Sequence, residues 1–345
     1  MQKARARTGL LHARAYRDAM PQQQPPALAT ARPLLSGTTF GMFAIVVLIW
    51  LLSLVVVALP ALGAALVAGW RPQVAVALAC GVWTVSAPLV LTRPVEALLA
   101  RLLYHGLHRP DPTDLARIVP ALERVCRRAG ADPGRYLLRV QESRQLNAFA
   151  LGGHVLAVTR VAIDLPDDML EAVLAHEVGH HRHLHPLAII LGWWYLLPFE
   201  AAERLQRAIR RVTRGLARAY SRLREQTAGA RAADGAIGML VLLVVLGVLV
   251  VAGTLLAVAL GVLWLPLAVL VRLARVLGAA LSRSGEYAAD RHAVELGYGP
   301  GLVRVLELFV VAERSARRPR GLAALLRTHP TCAARILAVD RVRIS

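Results

Sequence analysis

Three long uncharged stretches divide the chain. Pro33 to Trp70 runs 38 residues without a charge, Pro72 to Thr92 runs 21, and Gly235 to Val271 runs 37. About 20 apolar residues cross the hydrocarbon core of a bilayer as a helix, so each stretch is long enough to span. The first two are separated by Arg71 alone, with Trp70 and Pro72 making a tight turn, and the pattern predicts a transmembrane hairpin over residues 40–92 with kink points at Pro60 and Gly63. At 1.5 Å per residue the third stretch would reach ~55 Å as one helix. Residues 235–271 are therefore either a hairpin turning near Gly253-Thr254 or a single long span. Residues 186–234 hold an apolar piece, Leu187 to Pro198, too short to span comfortably, then nine arginines and four acids between Glu200 and Asp234 with leucines at helical spacing. That segment suits a membrane surface, and it favours the hairpin, because with one span it would sit on the outer side.

The remaining sequence has the periodicities of a water-soluble α+β domain in two parts, 93–185 and 272–345. Asp111-Pro112-Thr113-Asp114 opens a helix and Gly130 closes it. Arg135–Gln141 and His154–Thr159 read as short strands, linked by a segment with Asn147-Ala148-Phe149-Ala150 and a Gly152-Gly153 turn. Pro166-Asp167-Asp168 starts a further helix with acids at its positive end. Leu170, Val173, Leu174 and Val178 form its apolar side, and its last turns run from His176 to His185. Residues 1–39, rich in Arg, Ala, Gln and Pro, read as a flexible basic tail.

Composition agrees with a membrane protein: 56% of residues are hydrophobic and the mean hydropathy is +0.50. The first apolar run begins too late and is too long for a cleaved leader. The net charge of +19 raises nucleic acid as a partner, but no reading motif accompanies it, and the basic residues fall where topology wants them. Met1 to Thr39 carries six Lys/Arg against Asp18 alone, the hairpin turn offers only Arg71, and Arg93 and Arg101 follow the second span. The positive-inside rule places both ends of the hairpin in the cytoplasm of a multi-pass protein of the cell membrane, with the basic flanks against anionic headgroups. Cys80, Cys126 and Cys332 lie far apart and imply no disulfide framework.

Chemistry concentrates in His176-Glu177-Val178-Gly179-His180. Residues i and i+4 share a helix face, so His176 and His180 can reach one metal ion, and zinc takes His nitrogens while keeping a position open for water. Glu177 is then the general base. A third ligand is supplied after the last apolar run, where Glu286 and Asp290 are again i and i+4. Glu286 can complete a two-His, one-Glu site and Asp290 can accept a hydrogen bond from a ligand histidine; the bland reading is a solvated acid pair beside Arg283 and Arg291. His181 points about 100° away from His180, so His181, His183 and His185 read as polar residues near the membrane rather than extra ligands. Asp167, Asp168, Glu171 and Arg182 around the motif are costly in lipid, which argues against a site inside a span.

Taken together these residues resemble the HtpX and CAAX-prenyl-protease family of membrane zinc metalloproteases. The resemblance rests on Asn147-Ala148-Phe149-Ala150, His176 to His180, Glu286-Tyr287-Ala288-Ala289-Asp290, and Thr328-His329-Pro330 with Arg335-Ile336, in that order and with an apolar run between the second and third. It implies one zinc ion per chain on His176, His180 and Glu286, with Glu177 as base and acid and Asp290 orienting a ligand. It also implies an edge strand at Asn147, Ala148 and Phe149 that pairs with an extended peptide, and His329 steadying the oxyanion. The fold expected is a mainly α integral membrane protein with a small α+β zincin-like metalloprotease domain. The function implied is endopeptidase cleavage of unfolded or damaged membrane proteins at the cytosolic face. The alternative is a catalytically silent or gated membrane scaffold or sensor that retains the fold.

Overall fold

The computed structural model describes residues 36–229, 236–315 and 328–344; the tail predicted over 1–39, apart from its last four residues, lies outside the described residues. Helix α1 (Gly37–Ala68) is capped by the Ser36 hydroxyl and ends at Gly69, whose φ of 68° requires the left-handed region. Pro72 then opens α2 (Pro72–Val90). The expected hairpin forms, and its polar side chains pair within it: Trp50 Nε1 donates to Thr84 Oγ1 at 3.1 Å and Trp83 Nε1 to Ser53 Oγ at 2.9 Å. Such bonds suit an apolar medium, where an unpaired donor is costly.

Helix α3 (Arg93–Leu103) leads from the hairpin into the α+β domain. There follow β1 (Leu107–His108), α4 (Pro112–Ala129), a short 3-10 turn, β2 (Leu137–Gln141), β3 (Ala148–Leu151), β4 (Val155–Thr159), α5 (Arg160–Ile163) and α6 (Asp167–Arg182). Helix α4 starts where the sequence says it must: Asp111 and Asp114 form a reciprocal capping box, and Gly130 closes the helix at φ 63°. The sheet order is β1-β2-β4-β3, with β2 and β4 parallel and both outer pairs antiparallel. Alternation divides its two faces. Val140, Leu156 and Val158 pack with Ile118, Leu122, Leu170 and Leu174 of α4 and α6. Leu107, Val155 and Ala157 pack instead with Val90 at the end of α2, Ala100 of α3 and Ile190, which follows His185.

In the second half the short apolar piece and the arginine-rich segment are one helix, α7 (His185–Gly229, 45 residues). Of the two readings of 235–271, the stretch takes the single long helix and does not turn at Gly253-Thr254. It belongs to α8 (Ala236–Glu295), 60 residues without interruption. An apolar environment offers the backbone no partner but the helix itself, and Thr254 stays within it by donating its hydroxyl to Val250 O. Gly247, Gly253 and Gly261 are seats for α7: a Cβ at each would meet Tyr220, Thr213, or Arg210 and Gln206. Pro198 in α7 and Pro266 in α8 lie near the Phe199–Trp264 ring contact, 5.8 Å between centroids.

Helix α9 (Gly299–Ser315) and α10 (Cys332–Ile344) complete the domain. Met42, Val46 and Ile49 of α1 bury against Ala188, Tyr195 and Phe199 of α7 and Val271 and Ala274 of α8. Four stretches among the described residues are long and apolar enough to cross a membrane: α1, α2, and two successive parts of α8, Ile237–Val262 and Trp264–Glu295.

Candidate metal centre and active site

Helix α6 carries Asp167 and Asp168 in its first turn, where negative charge meets the positive end of the helix dipole. One turn apart near its other end, His176 and His180 bring their Nε2 atoms to 3.1 Å. Helix α8 crosses α6 at Gly179, the last residue before His180. A Cβ there would lie 3.1 Å from Ala289 Cα and 3.2 Å from its carbonyl oxygen, so the absence of a side chain sets how near the helices come. That approach carries Glu286 in: its carboxylate oxygens are 3.6 Å from His176 Nε2 and 3.4 Å from His180 Nε2. All three ligand atoms lie within 4.8 Å of one another.

The ring orientations fit a cation. His176 Nδ1 is 2.9 Å from Asp290 Oδ1, and donating its proton there leaves the Nε2 lone pair aimed at the cluster. His180 Nδ1 faces His185 Nδ1 at 3.5 Å. Glu286 is buried, with His329 Nδ1 and an Arg335 guanidinium nitrogen each 2.9 Å from its carboxylate oxygens. Burial would lower the pKa of His180, yet Glu286 and the Glu177 charge outweigh it and raise the value. Two imidazoles and an anionic carboxylate converging on one point are a zinc-type donor set.

Glu177 is 5% exposed and lines the same cavity of about 970 Å³ as the cluster. His329, from the loop before α10, places Nδ1 2.9 Å from Glu286 Oε1. Asn147, Ala148 and Phe149 lie along the cavity at the edge of the sheet; Asn147 is tied to Thr159 by its N–H and carbonyl, and Phe149 stacks on Tyr104 at 4.1 Å. The cavity continues past the cluster between membrane helices, where Met42, Ile45, Ile49, Trp193 and Leu196 line it.

The structure also corrects the reading of the neighbouring histidines. His181 is a core residue: it is 3% exposed, its Nε2 donates to Val155 O at 3.2 Å, and its ring meets Tyr136 edge-on. Burial pushes its pKa down to about 3. His185 does not continue α6. Leu184 takes φ 56°, a left-handed conformation costly for its side chain, and reverses the chain so that His185 opens α7 and returns beneath His180.

Arg335 is the residue that motif reasoning left without a role. It sits on α10 and its guanidinium lies 2.9 Å from Glu286 and 2.6 Å from Asp290. The signal available was a balance of charge: two buried carboxylates on one face need cations, and Arg335 follows His329 by less than two turns.

Glu96 of α3 ties the β3–β4 turn to the membrane hairpin. It is fully buried and accepts the N–H groups of Gly153 at 2.7 Å and His154 at 3.0 Å, and His154 Nδ1 at 3.0 Å. Gly152, at φ 60°, has no room for a Cβ, which would run into Glu96 Oε1. Replacing Glu96 with Ala strands these donors, so thermal unfolding should report a loss of about 3 kcal/mol.

Residues 112–343 match the family model described as Peptidase family M48. The chain belongs to peptidase family M48. A curated relative in the sequence comparison is described as Protease HtpX homolog, from Aeropyrum pernix; it is 45% identical over 71 residues, which cover 19% of this chain and 22% of that one. This chain therefore matches under a quarter of that relative's length. Among solved structures, the crystal structure of S. mikatae Ste24p aligns with a TM-score of 0.43 at 20% identity, covering 74% of this chain and 56% of the other. As an M48 member the chain belongs to a family of metallopeptidases that in general depend on zinc, and the His176, His180 and Glu286 cluster is a possible metal site within it.

Proposed function

We propose that this M48 protein is a membrane-bound zinc endopeptidase that hydrolyses unfolded or damaged membrane proteins at the cytosolic face. The observation that carries the reading is the convergence of His176, His180 and Glu286 on one point of a cavity that Glu177 also lines. These three residues would hold one zinc ion, which when bound would supply Lewis acidity toward the peptide carbonyl and lower the pKa of water. Glu177 accepts a proton from the attacking water as its oxygen bonds to the carbonyl carbon, and delivers that proton to the amine nitrogen as the C–N bond breaks. Asp290 fixes the tautomer and orientation of His176. His329 offers a hydrogen-bond donor and Arg335 a positive charge to the side of the site where the carbonyl oxygen becomes an oxyanion. Residues 147–149 offer an edge strand for an extended peptide, and the single arginine at the hairpin turn, against Arg93 and Arg101 at its base, favours a cytosolic site.

The test is digestion of casein by the detergent-purified protein, with zinc supplied and with zinc stripped by a chelator. Cleavage should depend on zinc and return when it is restored. Stoichiometric zinc with no cleavage of casein or of an unfolded membrane protein would overturn the reading in favour of a silent scaffold.

A further inference from the structure

The two histidines of the cluster are supported unequally. His176 has Asp290 at its Nδ1, whereas the carboxylate beside His180, that of Glu286, faces its Nε2. At the Nδ1 of His180 stands another imidazole, His185, whose own Nδ1 is 3.5 Å away.

Three features of the chain put His185 there. Leu184 takes φ 56°, strained for a leucine, and turns the chain back after α6. On α8, residue 285 is glycine: a Cβ would lie 2.7 Å from His185 Nδ1 and Cε1, so the ring is seated against the residue that precedes Glu286. The ring of His183 stacks on that of His185, with 5.5 Å between centroids and 21° between planes. The result is an imidazole only 2% exposed, wedged between the two helices that carry His180 and Glu286.

The protons of the pair can be assigned. His180 directs Nε2 at His176 Nε2 and at Glu286, and a neutral ring offering that lone pair to a cation keeps its proton on Nδ1 and donates there. His185 Nδ1 must then accept, which puts the proton of His185 on Nε2. Burial disfavours a charge on this second ring, so it stays an acceptor. Its Nε2 is buried and has no partner among the described residues. A residue present only for packing gains nothing from a stranded polar atom; the cost is offset where the ring's other nitrogen is needed.

We infer that His185 is a positioning residue for the metal centre: its Nδ1 accepts the Nδ1–H of His180, fixes that ring's tautomer and holds its Nε2 toward the ion. The inference rests on the zinc reading above and deepens it. His185 is not a fourth ligand, since it meets His180 at the nitrogen the ion does not use. Ligating histidines in general donate their second ring N–H to such a partner.

The test is the zinc affinity of full-length, detergent-purified protein, measured by competition with a chelating dye, for wild type, His185→Leu and His185→Asn. The two replacements are nearly equal in size, but only asparagine has a side-chain oxygen close to where Nδ1 stands. His185→Leu should bind zinc about 10- to 100-fold more weakly, and His185→Asn within about threefold of wild type. A packing role gives no such rescue, because leucine fills the site without stranding a polar atom. Equal losses in the two variants, or wild-type affinity in His185→Leu, would overturn the inference and leave the three-ligand reading standing. Wild-type protein that takes up no zinc would sink that reading itself, and this inference with it. If circular dichroism shows that His185→Leu does not fold, His185→Val takes its place with the same expectation.

Discussion

Glu177→Gln should keep its zinc and lose casein cleavage by about 10³-fold, within the range contributed by a positioned general base. The amide has the size of the carboxylate, so it preserves the packing of a side chain that is only 5% exposed, but it cannot take a proton from water. The two readouts separate the roles. Zinc content measured after dialysis reports the neighbouring ligands, and initial cleavage rates report the proton transfer. Equal rates for variant and wild type would mean a contaminating protease or a different base. Loss of zinc together with activity would make Glu177 a structural support of the ligands instead.

Glu286→Ala should lose both. Removing one of three ligands is expected to weaken zinc binding by more than the 10- to 100-fold typical of residues that merely orient a ligand, and cleavage should fall to background. The carboxylate is also the partner of His329 and Arg335, so the variant leaves Arg335 held by Asp290 alone. Competition with a chelating dye measures the affinity, and circular dichroism checks that helix content is retained. Zinc affinity equal to wild type would remove Glu286 from the ligand set and leave His176 and His180 in search of another partner.

Local chemistry was the legible part of this molecule. Asp111, Asp114 and Gly130 mark the ends of α4 because capping depends on residues three or four apart. The facing of His176 with His180, and of Glu286 with Asp290, follows from the helical repeat alone. What depended on distant packing could not be read. Gly253-Thr254 looks like a turn until α7 is known to lie against it, since the same glycine that loosens an isolated helix lets a neighbour approach. His185 required the left-handed Leu184, a conformation no leucine advertises. His181 became a core residue only through Val155, 26 positions away. The role of Arg335 needed the 45-residue separation from Asp290 to be closed by the fold. β1, two residues long, has too little alternation to register as a strand.

The unbroken course of α8 has a mechanical consequence. Sixty residues of continuous helix measure about 90 Å, and the carboxylate of Glu286 rides nine residues from the end of that rod. It lies within Trp264–Glu295, the second of the two parts of that helix long and apolar enough to cross a membrane. Bilayer thickness and lateral pressure should therefore reach one member of the proposed ligand set through a lever, whereas His176 and His180 ride on a helix packed against the sheet. Lipid composition becomes a variable in every measurement of this centre, alongside pH and metal concentration.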